Sequence, residues 1–214
     1  MAKKKDTVAK DLSTEEKIKA AAKKLFTQKG FAATKTRDIA EEAGINLALL
    51  NYYFRSKEKL FELVMRENLS LFVGVLLEDI KNTPRSFEEQ MNFLVGRYID
   101  MLLENPDLPF FILNLIQSGH FQTDDQGNPV LKEITQLRAE FLKYAMEQME
   151  QGKIKKIHPL HLMANMMSMI IFPFIASSIL MARSGITDRK EFERLMIERK
   201  KLIPQWMKEM VEIR

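Results

Sequence analysis

The chain has no cysteine, which excludes a disulfide framework, a thiol nucleophile and any cysteine-based metal site. Histidine is scarce as well: His120, His158 and His161 are the only three. His158 and His161 lie three apart and supply at most half a metal site, with no nearby carboxylate to complete it. The competing reading is a histidine that opens a helix and makes ordinary hydrogen bonds. The sequence also lacks a glycine-rich phosphate loop, a nucleophile elbow and an H-E-x-x-H helix. Catalysis, a metal and a cofactor are therefore not expected. No segment sustains period-two alternation and no repeat recurs at solenoid spacing, so the expected class is all-α. No apolar stretch follows the charged start, which leaves no secretory signal and points to the cytoplasm.

Acidic and basic side chains are missing together from one long run. Residues 157–182 contain no Asp, Glu, Lys or Arg. As one helix this run would be roughly 39 Å long, enough to cross a bilayer. Against that reading stand His158, His161, Asn165, three serines and Pro173, with no second apolar run elsewhere. A helix buried on several faces fits better, and no membrane partner is expected.

Charge is unevenly divided along the 214 residues. Residues 1–60 hold 14 Lys and Arg against 8 Asp and Glu, and the remainder holds 19 against 21, within a net charge of +4. A basic head on a near-neutral body suits a nucleic-acid binder, although an uneven solvated surface would look alike. Residues 1–12, with Lys3, Lys4, Lys5 and Lys10, read as a flexible basic leader that lies along DNA or is simply disordered.

Residues 13–56 spell three short helices. Ser13, Thr14, Glu15 and Glu16 form a capping box, followed by Ile18, Ala21, Ala22, Leu25 and Phe26 at helical spacing up to Gly30. Thr36 is placed to N-cap the second helix, and Asp38 lies in its first turn. Ile39, Ala40 and Ala43 make its inward stripe, and Gly44 ends it. Asn46 caps the third helix, whose core pair is Leu50 and Phe54. Ala48 and Tyr52 fall opposite that pair with Leu49 near them, while Asn51 and Tyr53 flank. Leu47 is ambiguous between core edge and groove. A short helix, a Gly turn and a helix with a small, aromatic and amide outer face suggest a DNA-reading helix-turn-helix. Ser56 can cap the helix that follows, whose free amides suit a phosphate.

Residues 14–60 closely resemble the DNA-binding domain of the tetracycline-repressor (TetR) family. The match runs through Ala21, Leu25, Phe26, Gly30, Phe31, Thr34, Thr36, Arg37, Asp38, Ile39, Ala40, Ala43, Gly44, Ile45, Leu50, Tyr52, Tyr53, Phe54, Lys57, Glu58 and Leu60. The rest of the chain is similar only in length and helical style. The resemblance implies that the helix at about 46–53 enters the major groove, with Thr36, Asn46, Leu47, Ala48, Leu49, Asn51 and Tyr52 at the DNA. It implies that Arg37 reaches a base edge or a phosphate, and that Tyr53 and Lys57 hold phosphates. Asn51 departs from a tyrosine common in the family, and Leu47 and Leu49 from residues often polar. Leucines can meet thymine methyls, and an amide can pair with adenine.

Residues 57–214 read as a helical body. A long helix runs from Lys57 to about Asn82, broken at Thr83 and Pro84. Ser86 and Glu89 form a second capping box. Asn105, Pro106 and Asp107 make a turn, residues 119–129 read as a loop, and Asp188 to Glu191 form a third box. Pro204 is expected to distort the last helix. By resemblance the body binds a ligand and dimerises. Phe93, Phe110, Phe111, Asn114, Gln117, His120, Phe141, Asn165 and Met169 are candidates for a pocket holding a lipophilic small molecule, or are simply core. Met163, Met167, Ile170, Phe174, Phe192, Leu195, Met196, Ile203 and Trp206 are candidates for a homodimer interface, or cap a monomer core. The expected protein is a dimeric regulator reading an inverted repeat in double-stranded DNA, most simply a repressor released by its ligand. The alternative is an architectural DNA binder or a protein-docking module without sequence preference.

Overall fold

The computed structural model describes residues 2–117 and 129–213, with side chains over 14–113 and 130–213. The described residues form ten helices and no strand: α1 (Ala2–Ala33), α2 (Thr36–Glu42), α3 (Leu47–Tyr53), α4 (Lys57–Asn82), α5 (Phe87–Glu104), α6 (Leu108–Gln117), α7 (Pro129–Glu150), α8 (Pro159–Ile175), α9 (Ser177–Ser184) and α10 (Arg189–Val211). The all-α expectation holds. Two compact units divide inside α4, the first comprising Met1–Asn68 with Asn105–Asp107 and the second Leu69–Glu104 with Leu108–Arg214.

Several local expectations are corrected. Helix α1 begins at Ala2 rather than at Ser13, so the basic leader is helical here. No Gly or Pro lies between them, and a helix propagates at low cost once nucleated. Gly30 interrupts α1 where the helix is expected to stop: at φ 76° and ψ 166° it is non-helical, a conformation that glycine alone adopts freely, and a short further turn reaches Ala33. Thr36 is the first residue inside α2. Lys35 takes the N-cap position and offers no side-chain cap. The uncharged run breaks at Ala176 into α8 and α9, bent by 75°, and no single described helix is long and apolar enough to cross a membrane. Pro204 is buried within a continuous α10. The loop expected at 119–129 lies, but for Pro129 at the start of α7, outside the described residues.

The first unit closes over Ile18, Ala22, Phe26, Ile39, Leu50 and Leu60, each at most 1% exposed. Phe61 joins this core from α4, its ring 5.1 Å from Phe26 and 4.6 Å from Phe31. The last turn of α1 is held by polar contacts. Buried Thr34 donates its hydroxyl to the Gly30 carbonyl at 2.7 Å, and the Phe31 amide donates to the Asp107 carboxylate at 2.6 Å. Orphan groups at a kink are thereby satisfied inside the unit.

In the second unit α10 packs along α5. Ile203 and Met207 are wholly buried on α10, as is Met91 on α5. Ion pairs Lys200 to Asp100 and Lys208 to Glu88 edge this seam. Exposed pairs of this kind contribute little to stability, because solvent screens them. The Ser86 box forms as expected, with the Ser86 amide donating to Glu89 at 2.8 Å and the Glu89 amide to the Ser86 hydroxyl at 3.3 Å. The Ser86 hydroxyl, donating to the same carboxylate at 2.7 Å, and then the Ser86 amide hold the Glu89 carboxyl below its ordinary range.

Candidate nucleic-acid interface and effector cavity

The α2–α3 connection is built from backbone hydrogen bonds. The Ala43, Gly44 and Ile45 amides donate to the carbonyls of Ile39, Glu41 and Ala40 at 2.9, 3.0 and 2.9 Å. Gly44, at φ 67°, turns the chain through the left-handed region that ends a helix cleanly. Asn46 then caps α3, its side chain accepting from the Leu49 amide at 2.8 Å. Leu50 and Phe54 point into the core at 1% and 8% exposure, which orients the short helix.

That orientation leaves Asn46, Ala48, Asn51 and Tyr52 exposed, with Tyr52 at 80%. Leu47 is exposed, and Leu49 and Tyr53 are half-buried. The Tyr53 ring stacks edge-on against Tyr52 at 5.5 Å. Arg37 is exposed at the start of α2, with no ion-pair partner among the described residues, while Thr36 beside it is half-buried. Lys24 and Lys29 are tied to Glu42 and Asp38 at 2.6 and 3.3 Å. Exposed Lys35, Arg55 and Lys59 flank the starts of α2 and α4, and sequence reasoning passed over them as candidates. Their signal was a basic residue beside the N-termini of α2 and α4, where free amides also favour anions.

Lys57 is placed differently from its expected role at a phosphate. Its ammonium donates to the Phe31 and Thr34 carbonyls, each at 2.9 Å, and sits 4.2 Å from the Phe31 ring centroid. It closes the C-terminal end of α1, where carbonyls lack helical partners and a cation is favoured.

The second unit contains a cavity of about 210 Å³ lined from α4, α5, α6, α7 and α8. Its wall is aliphatic, aromatic and thioether, with Phe72 and Phe141 beside Met101, Met163, Met166 and Met167. Among the expected pocket residues whose side chains are described, only Phe141 lines it. Phe93 is covered by the guanidinium groups of Arg85 and Arg97, at 4.2 and 5.7 Å from its centroid. Phe110 is exposed, Phe111 is core, and Asn165 is exposed, donating to the Met210 sulfur at 3.0 Å. The Met169 carbonyl accepts from Arg199 at 2.9 Å. The side chains of Asn114 and Gln117, and the whole of His120, lie outside the described residues.

The expected dimer set also divides. Ile170, Phe174, Phe192, Met196 and Ile203 are buried within the chain's own core, and Met163 and Met167 face the cavity. Leu195 is half-buried and Trp206 is exposed. A run apolar on every side shows no preferred face, and the packing of α8 and α10 selected these residues for the interior. The large exposed apolar groups of this region are Leu160, Phe172, Ile179, Ile197, Leu202 and Trp206. His158 caps α8, its Nδ1 accepting from the Leu160 amide at 3.2 Å, and no group of three or more metal-ligating side chains occurs among the described residues.

Burial pushes the Tyr98 hydroxyl, in the cavity wall, up to about 12. Its folded value exceeds the unfolded one near 10, so its contribution is complete below pH 10 and is lost as pH rises toward 12. Tyr144, raised to about 12 by burial and by Glu89, acts in the same window. Chemical denaturation at pH 9 and pH 11 should show the decline, and Tyr98→Phe should make it shallower. An unchanged slope in that variant would place the hydroxyl in solvent.

A capped turn, a buried core pair and an exposed short helix define a helix-turn-helix DNA-binding unit. Residues 18–64 match the family described as bacterial regulatory proteins, tetR family. The N-terminal unit is thus similar to the DNA-binding domain of that family. The chain is 38% identical over 85 residues to the probable HTH-type transcriptional regulator YttP of Bacillus subtilis, covering 39% of this chain and 41% of YttP. It is 36% identical over 69 residues to the HTH-type transcriptional repressor KstR2 of Mycolicibacterium smegmatis, covering 32% and 34%. These alignments therefore span less than half of either relative. The fold as a whole is similar to that of a TetR transcription regulator from Haloarcula marismortui, with a TM-score of 0.62 at 18% identity over 93% of this chain and 98% of the other.

Proposed function

We propose that the protein is a homodimeric repressor that binds an inverted-repeat operator in double-stranded DNA and releases it when a lipophilic small molecule fills the cavity. The observation that carries this reading is the outer face of α3, where Ala48, Asn51 and Tyr52 stand exposed on a helix held by Leu50 and Asn46. Such a face fits the major groove, with the amide for adenine and the leucine and alanine groups for thymine methyls. Exposed Lys35, Arg55 and Lys59 supply the phosphate contacts that fix register, and exposed Arg37 reaches a base edge. A single seven-residue helix reads few base pairs, and a two-fold pair doubles the site. Phe172, Ile179, Leu202 and Trp206 offer the apolar surface for that pairing. Repression is the mode named for KstR2 of M. smegmatis. With chromosomal DNA as its partner, the protein acts in the cytoplasm.

Selection of bound duplexes from a random pool near physiological salt tests the reading. An enriched inverted repeat is expected, and retention without any motif would favour sequence-independent binding. On that operator, Arg37→Ala should weaken binding by about 1–3 kcal/mol and change preference at one position of each half-site. Equal weakening on operator and random duplex would make Arg37 a phosphate contact.

A further inference from the structure

The lining of the cavity selects among ligands, and the selection rests on the effector reading above. All but two of its lining residues are apolar. The exceptions are Tyr98 and Arg138. Arg138 is solvent-exposed yet lines the cavity, which puts it at the opening, and it has no ion-pair partner among the described residues. The nearest carboxylates along α7 are engaged elsewhere: Glu133 accepts from the Ser70 hydroxyl at 2.7 Å, and Glu140 pairs with Lys81 at 3.7 Å. Tyr98 packs against Phe72, with centroids 4.9 Å apart, and its hydroxyl has no hydrogen-bond partner among the described residues. A hydroxyl and a guanidinium without partners among the described residues, on an otherwise apolar chamber, are complementary to one kind of molecule. The guanidinium fork matches a carboxylate in two parallel hydrogen bonds, and a phenol donates a third. The chamber itself offers nothing to a polar body.

We propose that the cavity takes an aliphatic monocarboxylic acid of medium chain length. The alkyl chain lies among Met163, Met166, Met167 and Phe141, and the carboxylate sits on the Arg138 guanidinium with the Tyr98 hydroxyl as second donor. Size limits the chain: about 210 Å³ holds roughly seven water-sized groups at about 30 Å³ each. Thioether side chains adapt their shape, which lets the chamber accept one or two methylenes more.

Calorimetric titration of the full chain with octanoate, 1-octanol and octylammonium tests this directly. Octanoate is expected to bind at least tenfold more tightly than the alcohol of equal length, and octylammonium more weakly than either. Arg138→Gln should reduce octanoate to the level of octanol while leaving octanol binding unchanged, and Arg138→Lys should restore part of the difference. Tyr98→Phe should weaken octanoate severalfold. Far-UV circular dichroism and thermal midpoints confirm that each variant is folded. Octanol binding as tightly as octanoate, or a preference that survives Arg138→Gln, would overturn the carboxylate assignment and leave an apolar effector site standing. Absence of binding by all three ligands would remove the effector reading of the cavity along with it.

Discussion

Lys57→Met should destabilise the N-terminal unit by about 3 kcal/mol, because two charge-assisted hydrogen bonds and a cation–π interaction disappear with the ammonium. The two acceptors, the Phe31 and Thr34 carbonyls, lie at the end of α1 where no helical amide reaches them. Methionine keeps the length of the stem and its packing but leaves both oxygens without that donor. The unit is small, so a destabilisation of this size lowers its thermal midpoint on the order of 10 °C. DNA binding should fall with the folded fraction, equally on every duplex, and should recover on cooling. Arg37→Ala should show the reverse pattern, with an unchanged midpoint and altered sequence preference. A Lys57→Met protein that melts like the wild type yet binds every duplex more weakly would return Lys57 to the phosphate role that resemblance alone implies.

Ile203→Ala and Trp206→Ala, three residues apart on α10, should fail in different ways. Ile203 is fully buried, and truncating its side chain in a core this close-packed costs about 2–5 kcal/mol whatever the protein concentration. Trp206 is 38% exposed, and the Arg199 guanidinium lies 5.3 Å from its ring. At the proposed dimer surface a tryptophan of this kind carries about 2 kcal/mol or more of association energy. Sedimentation over a range of concentrations should therefore show Trp206→Ala dissociating at concentrations where the wild type is paired. Its melting at high concentration should stay near that of the wild type. Ile203→Ala should remain paired whenever it is folded. Both variants behaving as stability mutants with unchanged association would remove Trp206 from the interface.

Short-range chemistry carried much of the architecture into the sequence. The Asn46 cap, the Ser86 and Glu89 box, the Gly44 turn, the break at Thr83 and Pro84, and the inward pair of Leu50 and Phe54 depend on neighbours within about one helical turn. Each is read correctly without tertiary information. The errors cluster where the competing states differ by long-range contacts. Thr36 reads as a cap, but α2 starts one residue earlier. Lys57 is placed at a phosphate by resemblance, and nothing local indicates that the end of α1 comes within reach of its ammonium. Chemical type alone singles out phenylalanines and amides as effector candidates, and among those with described side chains only Phe141 lines the cavity.

The sequence by itself determined the all-α class, the helix-turn-helix head with its outward Ala48, Asn51 and Tyr52, and the expectation of neither catalytic nor metal chemistry. Caps, turns and a two-sided helix write themselves into residue order at spacings of three and four. The tertiary structure alone decided which sides of α8 and α10 became core, cavity wall or exposed surface. In residues 157–182 apolar side chains surround the helix, so periodicity assigns no face. The bend at Ala176 and the packing against α5 and α7 make that choice, and with it they place Met163 at the cavity, Ile170 in the core and Phe172 at the surface.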